Sequence, residues 1–158
     1  DNTMSSILSS QVDQAFMLLA LAEAKKAAEL GDIPVGALLV HQGEIIASAH
    51  NRRELDQNPI GHAEILVLQE GAKKLGRWRL SDCTLYVTLE PCPMCAGAIL
   101  MARLGRLIYG VPDYKTGSVE SLFNILTHPS LNHHVEVTAG VEEEACRKIL
   151  QEFFQKKR

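Results

Sequence analysis

The sequence predicts a layered α/β domain, and three observations carry the prediction. Short apolar runs alternate with longer stretches of helical spacing, in the order α-ββ-α-β-α-β-α-β-α. The 158 residues are 46% hydrophobic and 22% charged, enough for one well-filled core. No repeat, low-complexity stretch or linker divides the chain, so residues 1–158 read as a single domain. Residues 1–10 read as a flexible tail, with Asp1-Asn2-Thr3 ahead of Met4 as an appended remnant.

The first helix is expected over Val12 to Leu30, where Ala15, Phe16, Leu19, Ala22, Ala27 and Leu30 recur at helical intervals and Gly31 supplies the stop. Val35 to Val40 is a continuous apolar run. Gln42-Gly43 then turns it into Glu44 to Ala49, a hairpin. Asn51 to Gly61 is a polar loop, after which His62 to Leu75 resumes helical spacing. Thr84 to Thr88 is the third strand. Pro91 opens a helix that runs to Arg103, and Arg106 to Gly110 is the fourth strand. A turn-rich loop, Val111 to Ser118, leads to a short helical piece, Leu122 to Leu126. His134 to Thr138 alternates like a last strand. A closing helix carries Val141, Ala145, Ile149 and Phe153 on one stripe, with acidic residues at its start and basic ones at its end, as the helix dipole prefers. Strands separated by helices favour a mostly parallel sheet after the hairpin.

Composition narrows the function classes. No apolar run approaches the ~20 residues of a membrane span. No basic flank followed by an apolar stretch marks a secretory signal. Four cysteines without such a signal do not form a disulfide framework; Cys83 and Cys146 read as small buried hydrophobes, and the expected setting is a reducing cytoplasm. The net charge of −3 does not advertise a nucleic-acid partner. Basic residues nevertheless gather near Arg103, Arg106 and Lys115, and again at Arg147, Lys148, Lys156, Lys157 and Arg158; by charge alone these fit a solvated face as well as a phosphate-binding one.

The chemistry is concentrated in His62-Ala63-Glu64 and Pro91-Cys92-Pro93-Met94-Cys95. One imidazole and two thiolates make a three-ligand zinc set, and a catalytic zinc keeps its fourth position open where a structural one closes it. Cys-x-x-Cys alone also fits a redox pair or half of a zinc knuckle. Against those readings, no other histidine has companion spacing, and Pro91 and the paired His-x-Glu have no role in redox chemistry. Both cysteines lie at the start of a helix, where free N–H groups favour thiolate, and His62 holds the same place on its own helix. Glu64 can face the metal without ligating it. Zinc brings water toward a pKa near ~7, and the glutamate can take and deliver its proton. The plain alternative for Glu64 is a solvated residue favoured by the helix dipole.

His-x-Glu followed by Pro-Cys-x-x-Cys resembles the signature of the zinc nucleobase deaminases. Further resemblance runs from about Phe16 to Phe154. Ile33-Pro34-Val35-Gly36-Ala37, Asn51-Arg52, His62-Ala63-Glu64-Ile65, the run Leu85 to Cys92 and Met94-Cys95-Ala96-Gly97-Ala98 look like the bacterial tRNA-specific adenosine deaminases of the TadA type. Those motifs are shared with guanine and cytosine deaminases. Asp113, Lys115-Thr116-Gly117, Ser121-Leu122, Leu131-Asn132-His133 and Val135-Glu136-Val137 are the more selective set.

The resemblance implies the three-layer α/β/α cytidine deaminase-like fold with a five-stranded mixed sheet. It also implies hydrolysis of adenosine to inosine at wobble position 34 of a tRNA anticodon, by water attacking C6 with Glu64 as proton shuttle. One Zn2+ per subunit would be held by His62, Cys92 and Cys95. Asn51 would bond the flipped nucleoside, and Ala63 would let the base approach. Asp113, Lys115, Asn132, His133 and Phe154 would meet the anticodon stem-loop, with Arg147 and the basic end extending that groove. The family also implies a cytoplasmic homodimer without a membrane or an organic cofactor. The competing expectations are a zinc deaminase of free guanine or cytosine on the same fold, and a non-catalytic zinc-binding RNA module.

Overall fold

The computed structural model describes residues 2–157, so Asp1 and Arg158 lie outside the described residues. Helix α1 spans Asn2–Glu29 and is followed by strand β1, Gly36–His41, and strand β2, Glu44–His50. Helix α2 covers Ala63–Leu75, strand β3 Cys83–Leu89 and helix α3 Pro93–Met101. Strands β4, Arg106–Val111, and β5, Glu136–Thr138, precede helix α4, Glu143–Lys156. Gly31, at φ 86°, ends the first helical run at the expected place, in a conformation that costs a residue without Cβ little. Gln42 and Gly43 both have positive φ, the backbone of the tight hairpin turn whose twist matches its strands.

The sheet is five-stranded and mixed, in the order β2-β1-β3-β4-β5. β1 pairs antiparallel with both β2 and β3, while β3-β4 and β4-β5 are parallel. After the hairpin the pairings are parallel, as the sequence suggested, and the antiparallel β1-β3 pairing makes the sheet mixed. Its cause is the path of α2, which carries the chain from edge strand β2 over β1. β2 and β3 therefore run parallel with β1 between them, the usual geometry of a crossover connection.

Period-two alternation sorts the side chains into two cores. Ala37 and Leu39 on β1, Leu85 and Val87 on β3, and Leu107 and Tyr109 on β4 pack with Val67 and Leu68 of α2 and with Ala96 and Ile99 of α3. Leu38, Val40, Tyr86 and Ile108 face the other way, onto Met17, Ala20 and Leu21 of α1 and Cys146 of α4. The result is the three-layer α/β/α arrangement. Cys83 and Cys146 are buried as free thiols, as their apolar settings suggested.

Three sequence expectations are corrected. α1 begins ten residues before Val12, although Thr3 to Val12 are all exposed. Leu122 to Leu126 is not a helix: the N–H groups of Leu122 and Phe123 both go to the Gly117 carbonyl and that of Ile125 to Ser118, so no i→i−4 ladder forms. Helix α3 starts at Pro93, not Pro91. Cys92 is its N-cap, held extended (φ −75°, ψ 175°) by the proline that follows, while the Pro91 carbonyl accepts the N–H of Ser118.

Candidate active site

Two helix N-termini converge at the carboxyl end of β3. His62 is the N-cap of α2 and Cys92 that of α3, and neither uses its side chain to cap its helix. Both side chains are therefore free to turn toward each other. The Nδ1 of His62 lies 3.6 Å from the Cys92 Sγ and 3.5 Å from the Cys95 Sγ. These three atoms form a mutually close cluster among the described residues. Zinc bonds of about 2.3 Å to sulfur and about 2.1 Å to imidazole, at a tetrahedral angle, span an edge of about 3.6 Å. The donors thus stand where a tetrahedral zinc needs them, and two sulfurs with one imidazole suit that ion's softness.

The cluster is electrostatically primed. The Cys95 thiol hydrogen-bonds Cys92 and, with His62, holds the Cys92 thiol down at about 4 against the pull of burial. Cys95, wholly buried, is pushed up because it keeps the shared proton and is desolvated. Hydrogen bonding to Cys92 raises His62.

Glu64 stands on the first turn of α2 and is buried, 4% exposed. Burial raises its carboxyl to about 7, where it can both accept and donate a proton near neutrality. It faces a cavity of about 160 Å3, well below the ~300 Å3 of ordinary drug-sized pockets and suited to one planar base. His62, Ala63, Glu64 and Cys92 form its floor; Ile33, Val35, Asn51 and Arg53 form one wall, and Leu89, Glu90, Asp113 and Thr116 the other. Shallower grooves of about 600 Å3 run along α1, but among the described residues they gather no metal-ligating cluster.

The walls are built by two buried carboxylates that the sequence did not single out. Asp32, wholly buried, accepts the N–H groups of Ile33 (2.8 Å), Glu54 (2.9 Å) and Leu55 (3.1 Å). It also accepts the Asn51 side-chain amide at 3.2 Å. The Asn51 Oδ1 accepts the Arg53 N–H at 3.2 Å, so the amide is oriented from both ends. On the opposite wall, Glu90 accepts N–H groups from Asp113, Val119, Glu120 and Ser121 and the Ser121 hydroxyl. Burial would raise this carboxyl, but the N–H of Glu120, the Ser121 hydroxyl and the N–H groups of Asp113 and Ser121 together hold it below its ordinary value.

Of the residues expected at the site, His62, Ala63, Glu64, Cys92, Asn51 and Asp113 line the cavity, and Cys95 completes the donor cluster behind it. Asp113 spends its carboxylate on its own turn, accepting the N–H groups of Lys115 and Thr116 and the Thr116 hydroxyl. Lys115 is exposed beyond the rim. Asn132 is exposed, and His133 donates from Nε2 to the Leu104 carbonyl at 2.7 Å, before the start of β4 and outside the cavity. Phe154 is half exposed and meets Phe153 edge to face. Arg106 and Arg147 are occupied: the first by Asp13 at 2.6 Å, the second by Glu143 at 2.5 Å and by Glu144. Arg53 is a cavity residue that no motif revealed, and Thr116, quoted only as part of the Lys115-Thr116-Gly117 resemblance, also lines the cavity.

Residues 11–158 match the model of the MafB19-like deaminase family. The chain is 51% identical over 146 residues to the tRNA-specific adenosine deaminase of Bacillus subtilis, covering 92% of this chain and 91% of that relative. It is 49% identical over 150 residues to the tRNA-specific adenosine deaminase of Haemophilus influenzae, covering 94% and 87%. A solved structure from work on A-to-I editing by tRNA:A34 deaminases at the wobble position superposes with a TM-score of 0.82 at 44% identity, covering 86% of this chain and 99% of that one.

Proposed function

The chain belongs to the tRNA-specific adenosine deaminases, within the MafB19-like deaminase family, and from that premise we infer that it converts adenosine to inosine at position 34 of tRNA. The observation that carries the reading is the donor cluster of His62, Cys92 and Cys95 opening on a base-sized cavity floored by buried Glu64. These three residues would hold one Zn2+ per subunit. A zinc ion held there supplies the Lewis acidity that makes water nucleophilic at neutral pH.

The chain's own groups do the rest. Glu64 accepts the proton of the water that adds to C6 and passes it to N1 of the ring. It then carries a second proton to the departing amine, so adenosine and water leave as inosine and ammonia. Asn51, fixed by Asp32, orients the flipped nucleoside, and the small side chain of Ala63 leaves room for the base beside the donors. Asp113, Lys115, Asn132, His133 and Phe154 are assigned to the anticodon stem-loop. A base in a single-stranded loop can be splayed into such a pocket without breaking a duplex. Helices α2 and α3 leave an apolar groove in which Trp78 and Met101 are 60% and 67% exposed, and a second copy of the chain is the occupant assigned to it. The tRNA substrate supports a cytoplasmic place of action. No helix among the described residues is long and apolar enough to cross a membrane.

The test is sequencing of a tRNA with adenosine at position 34 after incubation with zinc-loaded protein. Inosine is expected at that position alone. Glu64→Gln should keep about one zinc per chain and lose about 10²- to 10⁴-fold in rate. Efficient ammonia release from free guanine or cytosine, with the tRNA untouched, would overturn the reading.

A further inference from the structure

We propose that Glu90 is a positioning residue that sets which RNA loop the site accepts, by suspending the wall from Asp113 to Ser121 on the strand end that leads into Cys92. The inference rests on the tRNA reading above.

Glu90 is 2% exposed and its carboxylate is saturated. One oxygen accepts the N–H of Asp113 at 3.0 Å and the hydroxyl of Ser121 at 2.5 Å. The other accepts the N–H groups of Val119 at 3.1 Å, Glu120 at 2.8 Å and Ser121 at 3.0 Å. No cation is bonded to it among the described residues; the backbone dipoles carry the compensation.

The attachment is specific in shape. A Cβ on Gly117 would fall 2.5 Å from the Glu90 carboxylate and 2.3 Å from the Asp113 carbonyl, so only glycine lets the wall close onto it. The Pro91 carbonyl, beside Glu90, accepts the Ser118 N–H at 2.9 Å, and the Tyr109 hydroxyl of β4 donates to Glu120 at 2.6 Å, fixing the same wall at two further points. Asp113 and Thr116, the two wall residues that reach the cavity, hang between these fastenings.

A buried carboxylate is a costly anchor where apolar packing would serve. It offers directional acceptors that place five donors to within a few tenths of an ångström, the tolerance a recognition surface needs. Glutamine in its place would turn an NH2 group toward N–H donors and let the wall shift while leaving the thiolates on α3.

The experiment compares zinc-loaded wild type, Glu90→Gln and Ser121→Ala on two RNAs: an anticodon stem-loop containing adenosine 34, and the same loop with the base 3′ of that adenosine changed. For Glu90→Gln we expect unchanged zinc content, kcat on the first RNA within about threefold, KM raised at least about tenfold, and discrimination between the RNAs reduced by a similar factor. Ser121→Ala removes one donor without touching Glu90 and should narrow discrimination by about threefold. Zinc loss with equal falls on both RNAs, or an unchanged KM, overturns the proposal. If Glu90→Gln does not fold, Ser121→Ala decides: narrowed discrimination sustains the proposal and wild-type kinetics overturn it. Wild-type protein that makes no inosine in either RNA overturns the functional reading itself and this inference with it.

Discussion

Asp82 shows how a single side chain sets a pH response in this molecule. Arg77 donates to both its oxygens, at 2.8 and 2.9 Å, and the His41 Nε2 lies 2.9 Å from one of them. The Cys83 thiol, pushed up to about 11 by burial, completes the groups facing it. Chiefly through Arg77, the Asp82 carboxyl is held down at about 2. A folded value below the unfolded ~3.9 means that the charged form stabilises the fold above pH ~4 and ceases to as pH falls through 2. With half of the Asp82 side chain exposed, solvent screening limits the contribution to under about 1 kcal/mol. Urea unfolding of wild type and Asp82→Asn should therefore differ by that small amount at pH 6 and converge toward pH 2; a difference that grows on acidification would refute the assignment. Legibility in the sequence also differs residue by residue. His62, Cys92 and Cys95 are readable because a set of residues that could hold a metal obeys short spacing rules at helix starts, and Glu64 because it stands two residues from His62. Asp32 and Glu90 are not, since their roles are fixed by donors some 20 to 30 positions away that only the fold brings near.

At the level of elements, a largely buried ion pair supplements the apolar packing that holds α1 on the sheet. Asp13 is 4% exposed and accepts from Arg106 at 2.6 and 3.1 Å and from the Tyr86 hydroxyl at 2.7 Å, tying the helix to β3 and β4 together. Asp13→Ala would strand a largely buried guanidinium and a buried phenol. The expected loss is about 2–3 kcal/mol, seen as a fall of roughly 5–10 °C in Tm for a domain of this size. Asp13→Asn, which keeps one acceptor, should fall less; equal losses would show that packing, not the pair, holds α1. Helix and strand positions were readable from periodicity, and the Gln42-Gly43 hairpin from its turn residues. The segment Leu122 to Leu126 was misread because its apolar spacing suits a helix, while its N–H groups are claimed by Gly117 and Ser118. The start of α3 depended on a choice between two prolines. Periodicity could not make it, and the bond from Ser118 to the Pro91 carbonyl does.

For the molecule as a whole, the layered order was legible from the alternation of elements, but the insertion of β1 between β2 and β3 was not. Strand order is a long-range choice, and local spacing is silent about it. The apolar groove between α2 and α3 sets the expectation for assembly. Light scattering should give twice the 17.4 kDa chain mass for wild type and a single chain for Met101→Glu, whose charge would lie on the lining of that groove. A monomeric wild type would remove the dimer from the functional reading.

The crossover over β1 has a further consequence. The imidazole donor comes from the chain before β3 and both thiols from the chain after it, and they meet only once β3 has docked beside β1. A nascent or partly melted chain offers a bare thiol pair, a far weaker grip on the ion than the complete donor set. A metal held by these three residues would therefore report correct threading, because the donor set is complete only after the most distant strand pairing has closed.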